Sequence, residues 1–239
     1  IGNYFDKAVV RWGYHDALVI PFQNINWNWK KLKKQVDNMA KGLIQLGLNP
    51  GDRIGIWSPN NKEWVLTQFA TAKAGLILVN INPAYRLSEL EFVINKVECK
   101  ALITASKFKT SDYISMISDL APEVESSQPG ELQAKKIPSL RYLIQIGGEH
   151  SGMFSFENVL ELGESQTDDS LNEIGKNLQF DDPINIQFTS GTTGTPKGAT
   201  LTHHNILNNG YFIGEKFGLT EKDRMCIPVP LYHCFGMVI

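Results

Sequence analysis

The sequence predicts an α/β fold with a mostly parallel sheet and helices on its faces. Three observations carry this. Apolar periodicity alternates between helical spacing and short strand-like runs along residues 29–105. Those runs are separated by helix-length segments, and strand–helix–strand series make parallel neighbours. Further on, the alternating stretch 184–188 runs straight into a string of small residues.

The first helix is predicted over 29–46. Trp29, Leu32, Val36, Met39, Ala40, Leu43 and Leu46 repeat at the 3.6-residue period, with Lys30, Lys31, Lys33, Lys34 and Lys41 on the other face. Asn28 can accept orphan N–H bonds at its start, and Gly47 tolerates a left-handed backbone at its end. The lysines are expected to form a solvated face. Asn49-Pro50-Gly51-Asp52 reads as a turn, 53–58 as a strand, 63–74 as a helix and 75–81 as a strand. Leu90, Ile94 and Val97 mark a helix over 87–97, and a strand follows at 101–105. A helical patch at 112–120 precedes the polar stretch 124–138, which is expected to be a surface excursion. Strand character resumes at 140–146, and a short helix at 154–162 is flanked by expected loops at 147–152 and 163–170.

Composition narrows the function. With 239 residues, 42% of them apolar, the chain can bury a substantial core. The 23 basic and 25 acidic residues give a net charge of −2, which lacks the positive field that nucleic acid or an anionic membrane requires and favours a small-molecule partner. No apolar run approaches the roughly 20 residues of a membrane span, so a soluble protein with no transmembrane segment is expected. Cys99, Cys226 and Cys234 have no C-x-x-C spacing, which points to a reducing compartment rather than a disulfide framework or zinc site. The chain starts at Ile1 without methionine and stops inside Met237-Val238-Ile239, so it is expected to be incomplete.

The chemistry is concentrated in Thr189-Ser190-Gly191-Thr192-Thr193-Gly194-Thr195-Pro196-Lys197-Gly198. Its glycines let the backbone approach a ligand, its five hydroxyls offer hydrogen bonds and Lys197 adds positive charge, a combination suited to polyphosphate. Pro196 and Gly198 flank the lysine where a Walker A loop needs glycine and a hydroxyl, so ordinary P-loop enzymes are disfavoured. A flexible linker is the competing reading, but linkers seldom follow a buried-looking strand directly or set one lysine beside a proline. His203-His204 is not read as a metal pair, because adjacent residues diverge and no third ligand is near. Solvent contact or helix capping is expected there.

Phe188 to Gly198 resembles the signature of the adenylate-forming superfamily, which includes acyl-CoA synthetases, adenylation domains and beetle luciferases. Pro228-Val229-Pro230-Leu231-Tyr232-His233-Cys234-Phe235-Gly236 is similar to the family's next motif. Upstream, Leu48-Asn49-Pro50-Gly51-Asp52-Arg53-Ile54, Ser58-Pro59-Asn60 and Asn80-Ile81-Asn82-Pro83-Ala84-Tyr85 resemble its early part, so the likeness covers nearly the whole chain. Asn82-Pro83-Ala84-Tyr85, 182–188 and Pro230-Leu231-Tyr232-His233 look most like the mitochondrial medium-chain fatty acyl-CoA ligases.

The resemblance implies the N-terminal part of the adenylate-forming fold. Residues 1–239 would be an incomplete N-terminal domain that binds ATP and the acyl group, with the C-terminal domain absent from this chain and the fragment inactive alone. The implied substrates are a medium-chain fatty acid, ATP with Mg2+, and coenzyme A. Thr189, Ser190, Gly191, Thr192, Thr193, Gly194, Thr195, Pro196 and Lys197 would bind ATP, with Thr195 and Pro196 mainly shaping the loop. Catalytic roles fall on Lys197 and Thr193, with Lys197 offsetting charge on departing pyrophosphate. His233 would line the acyl pocket, and Tyr232, Cys234 and Phe235 are expected in the core. The implied location is mitochondrial, with cytoplasmic and peroxisomal alternatives. A luciferase-like adenylating oxygenase and a non-catalytic nucleotide-binding module stay open as other functions.

Overall fold

The computed structural model describes residues 1–189 and 196–238. Helix α1 (Gly2–Trp12) and a hairpin of β1 (Asp16–Ile20) and β2 (Ile25–Asn28) lead into α2 (Trp29–Gln45). Then come β3 (Arg53–Trp57), α3 (Lys62–Ala74), β4 (Ile77–Asn80), α4 (Leu87–Lys96) and β5 (Ala101–Ala105). A small hairpin of β6 (Lys107–Phe108) and β7 (Ser111–Asp112) precedes α5 (Tyr113–Leu120). The chain continues through β8 (Tyr142–Ile146), β9 (Phe154–Ser155), α6 (Phe156–Glu164) and α7 (Asp169–Asn177). It ends in β10 (Pro183–Thr189), β11 (Lys197–Thr202), α8 (His203–Phe217) and α9 (Cys234–Val238).

Seven strands form one sheet in the order β11-β10-β4-β3-β5-β8-β9. Every neighbouring pair is parallel except β10 with β11. Ile54, Ile56, Ile103 and Ile144 join one core with Val36, Leu43, Trp64 and Phe156 from α2, α3 and α6. Val79, Leu102, Leu143 and Ile186 join another with Leu90, Ile94 and Ile117 from α4 and α5. Both faces are covered, which is why the central strands read as near-continuous apolar runs.

The expected caps of α2 are present: Asn28 Oδ1 accepts from the Lys31 N–H at 2.9 Å, and Gly47 has φ 95°. The expectation of a solvated lysine face holds for Lys30, Lys31 and Lys34 but fails at Lys41, which is buried. The cause is α6, which crosses α2 so closely that a Cβ on Gly163 would overlap the Asn38 carbonyl oxygen, and one on Gly42 the Val159 carbonyl oxygen. Residues 36–43 are therefore buried on every side.

Two loop expectations are also corrected. Within 124–138, Val124, Leu132, Ala134 and Ile137 are buried in the α4–α5 core, so this irregular segment is a cover for the sheet rather than an excursion. Within 163–170, α6 runs on to Glu164 and α7 begins at Asp169, with Leu171 buried in the other core.

Candidate active site

Strand β10 runs parallel to β4, with Gln187 opposite Asn80, and delivers its C-terminal end to the carboxyl edge of the sheet. It then pairs antiparallel with β11, Thr189 opposite Lys197, so the hairpin brackets residues 190–195. The Thr189 Oγ1 lies 3.5 Å from the Lys197 carbonyl oxygen. Thr189 and Lys197 are exposed and Pro196 is half-buried. Gly198 packs closely across the ladder: a Cβ there would stand 3.1 Å from Ile186 Cγ2 and 3.5 Å from the Phe188 ring. The expectations for Ser190, Gly191, Thr192, Thr193, Gly194 and Thr195 lie outside the described residues.

The second motif lies over the same edge. The Asn60 Nδ2 donates to the Val229 carbonyl at 2.9 Å, and its Oδ1 accepts from the Leu231 N–H at 2.8 Å. The Asn80 Nδ2 reaches the Tyr232 carbonyl at 3.4 Å and the Met237 Sδ at 3.5 Å. Gln187 Nε2 is also 3.5 Å from that sulfur, and Gln68 on α3 donates to the Met237 carbonyl at 3.2 Å. The Asn185 Nδ2 donates to Asn80 Oδ1 at 3.0 Å, which orients the Asn80 amide. Asn80, Asn185 and Gln187 are buried polar groups in apolar strands; these bonds offset part of the cost of burial, while Asn185 Oδ1 has no partner among the described residues. That mixture of amides inside Ile77-Leu78-Val79-Asn80 and Ile184-Asn185-Ile186-Gln187 is the signal that sequence reading passed over.

His233 is exposed at the start of α9. Its backbone N–H donates to the Pro230 carbonyl at 3.2 Å, and its Nδ1 accepts from the Phe235 N–H at 3.2 Å. Accepting at Nδ1 assigns the proton of the neutral ring to Nε2. The expectation that Tyr232, Cys234 and Phe235 are core is met in part by Tyr232, which is half-buried and packs against the core shared by α2 and α3, and fails for Cys234 and Phe235, which are exposed. Cys234 and Phe235 lie on the outer side of a motif whose inner contacts are made by its backbone, Tyr232 and Met237.

The loop after β4 forms the neighbouring wall. The Trp57 and Tyr113 rings stack at 3.7 Å and 12°, while Trp57 Nε1 donates to the Asn82 carbonyl at 3.2 Å and Tyr113 Oη to the Pro83 carbonyl at 2.5 Å. Burial pushes the Tyr113 phenol above its ordinary value. Tyr85 is raised too, by burial first and then by the nearby Glu89 and Tyr232. Three segments that are distant in sequence thus meet outside the carboxyl ends of β3, β4 and β10, the usual position for a ligand crevice in an α/β sheet.

His203 corrects another expectation: it is buried, and the cap of α8 is Thr202, whose Oγ1 accepts from the Asn205 N–H at 3.2 Å. Burial drives the His203 imidazole down to about 4. A cleft of about 940 Å³ between α1, α7 and the start of α8 shares no residue with the edge just described. Its lysines are already paired, Lys73 with Asp6 at 2.8 Å and Asp37 at 2.5 Å, Lys33 with the same two carboxylates and Lys176 with Glu173 at 3.2 Å, so the cleft offers an anion little free charge. Among the described residues no group of three or more His, Cys, Asp or Glu side chains is placed to hold a metal ion, and no helix is long and apolar enough to cross a membrane.

A family model described as AMP-binding enzyme matches residues 5–239. The chain is 47% identical over 240 residues to the mitochondrial medium-chain acyl-CoA ligase ACSF2 of Danio rerio, covering 100% of this chain and 40% of that protein. It is 39% identical over 240 residues to the putative acyl-CoA synthetase YngI of Bacillus subtilis, covering 100% of this chain and 44% of that one. The chain therefore spans about two-fifths of the length of the curated relatives it matches. Among solved structures, the inhibitor-bound N-terminal domain of FACL13 from Mycobacterium tuberculosis superposes with a TM-score of 0.79 at 22% identity, over 99% of this chain and 53% of that one. That likeness shows a shared α/β fold with a mostly parallel central sheet. With the family model matching from residue 5 to the last residue, this chain belongs to the family of AMP-binding enzymes.

Proposed function

We propose that the protein carrying this chain is an ATP-dependent ligase that joins a medium-chain fatty acid to coenzyme A. The observation that carries the reading is the pairing of Thr189 with Lys197, which sets both ends of the threonine- and glycine-rich string at the carboxyl edge of the sheet, beside the 228–236 motif. Identity of 47% along the whole chain to a relative named as a medium-chain acyl-CoA ligase supports the substrate class.

In the proposed reaction the fatty acid carboxylate attacks the α-phosphate of Mg·ATP, giving an acyl-adenylate and pyrophosphate. The thiol of coenzyme A then attacks the acyl carbon, releasing AMP and forming the thioester. Thr189, Ser190, Thr192 and Thr193, with the amides of Gly191 and Gly194, would hold the β- and γ-phosphates. Lys197 would offset charge on the departing pyrophosphate, with Thr193 as the second catalytic residue through its grip on the phosphates, a role preorganised electrostatics performs well. Thr195 and Pro196 would shape the loop, and His233 would line the acyl pocket. The exposure of Lys197 at the foot of the string fits a charge reserved for ligand. Mg2+ would enter with the phosphates, since it commonly binds through substrate phosphates and one or two carboxylates rather than an all-protein cage.

Residues 1–239 are proposed to be an incomplete N-terminal domain that binds ATP and the acyl group, with a C-terminal domain outside this chain and no activity in these residues alone. Coverage of 40% of the relative supports that division, and the relative's mitochondrial name supports a mitochondrial location. The test is ATP-dependent pyrophosphate release by the whole protein over acids of graded length, followed by mass detection of the coenzyme A thioester. Release that peaks with octanoate-like acids and yields thioester supports the reading. Absence of release with every carboxylate overturns it in favour of a nucleotide-binding module.

A further inference from the structure

We propose that Asn60 is a positioning residue that sets the height of the 228–236 motif, and with it His233, over the carboxyl edge of the sheet. The proposal rests on the ligase reading above and extends it to a residue 173 positions upstream of His233.

The geometry is that of a strand partner made by one side chain. The Asn60 amide donates to Val229 O at 2.9 Å and accepts from Leu231 N at 2.8 Å, so it engages the backbone on both sides of Pro230. Pro230 has no N–H to contribute, and its carbonyl is the acceptor of the His233 N–H at 3.2 Å. Asn60 therefore grips the residues flanking the carbonyl that closes the turn presenting His233.

Asn60 is itself held firmly. Its neighbour Asn61 caps α3, with Oδ1 accepting from the Trp64 N–H at 2.8 Å and Nδ2 donating to Ser58 Oγ at 2.7 Å. Pro59 restricts the backbone on the other side. The two bonds have opposite polarity, which a carboxylate cannot supply, and glutamine would carry its amide one methylene too far. The neighbouring attachments are longer: Asn80 reaches Tyr232 O at 3.4 Å, and Gln68 reaches the Met237 carbonyl, past the turn, at 3.2 Å. By contrast, the Thr189–Lys197 hairpin is held by its own ladder and by β4, and Asn60 makes no hydrogen bond to its described residues. Loss of the Asn60 amide should loosen the acyl side of the site and spare the phosphate side.

The experiment uses the whole protein and measures pyrophosphate release with wild type, Asn60→Ala and Asn60→Asp, varying octanoate and ATP separately. Asn60→Ala is expected to raise the KM for octanoate about tenfold while the KM for ATP stays within about twofold. Asn60→Asp keeps an acceptor for the Leu231 N–H but sets a carboxylate, ionised at the assay pH, against the Val229 carbonyl, so its octanoate KM should rise at least as far as that of Asn60→Ala. A merely structural role would not confine the rise to the octanoate KM and spare the ATP KM in both variants. An octanoate KM within about twofold of wild type in both variants overturns the proposal and leaves the ligase reading intact. A rise shared equally by the ATP KM, or an Asn60→Asp enzyme that keeps the wild-type octanoate KM, also overturns it. No release by wild type with any carboxylate overturns the ligase reading, and this proposal with it.

Discussion

The Lys41 ammonium stands 2.9 Å from Asp168 Oδ1 and 3.0 Å from the Gln166 carbonyl oxygen, so a buried cation on α2 is anchored by the entry to α7. The side chains differ sharply in environment, 8% exposed for Lys41 and 61% for Asp168. The hydrogen bond from Lys41 holds the Asp168 carboxyl below its ordinary value. A lowered folded-state value means the stabilisation is complete above the unfolded value and is lost as pH falls through the folded one. Asp168→Asn should destabilise the protein by about 1 kcal/mol at pH 7, a figure discounted for the exposure of Asp168. The gap in thermal midpoint between variant and wild type should narrow as pH is taken from 7 to about 3.

The α2–α6 crossing predicts a contrast between two glycines. Gly163→Ala must push α6 away from the Asn38 carbonyl and should cost about 3 kcal/mol. Gly214→Ala, inside α8 with nothing within 4 Å of the point where the new methyl would stand, should stabilise by about 0.5–1 kcal/mol. Thermal midpoints of the two variants in the whole protein should therefore move in opposite directions.

Cys99 is fully buried and burial pushes its thiol up to about 12. Thiolate is the reactive form, so Cys99 should resist iodoacetamide at pH 8 in the folded protein and label after denaturation. Peptide mass spectrometry of the Cys99 segment before and after denaturation checks this. Labelling at equal rates in both states would contradict the burial.

Lys197→Ala should lower the rate of pyrophosphate release about 100-fold if the lysine offsets charge on the leaving group. Lys176→Ala is the matched control: its ammonium lies on exposed α7, 3.2 Å from Glu173, and its loss should leave the rate within about twofold. Equal effects in the two variants would remove Lys197 from the chemistry.

Much of the central sheet is legible in the sequence because β3, β4, β5 and β8 are short apolar runs with turns or helices between them. Helix α2 is legible from its period and its cap. Helix α8 is not, because Asn205, Asn208, Asn209, Gly210 and Gly214 are weak helix formers, and Thr202 capping with Ile206 burial outweighs them. The cover at 124–138 is hidden for another reason: Val124, Leu132, Ala134 and Ile137 follow no single period, so only the tertiary surface reveals that they point inward. At the site, the threonine- and glycine-rich string stands out by composition. The Asn60 clamp does not, since its partners are 169 and 171 residues away and an asparagine after proline looks like any turn residue.

The hairpin of β10 and β11 has a consequence for inheritance. Its pairs are counted one against one from Thr189 and Lys197 back to Asn185 and Leu201. A codon gained or lost between 197 and 201 would turn Leu201, half-buried against the small core of Ile184, Ile206 and Met237, to the opposite face of the sheet. The same change outside the ladder leaves the count untouched. Insertions and deletions are therefore expected to be tolerated better in the flanks than within these two strands.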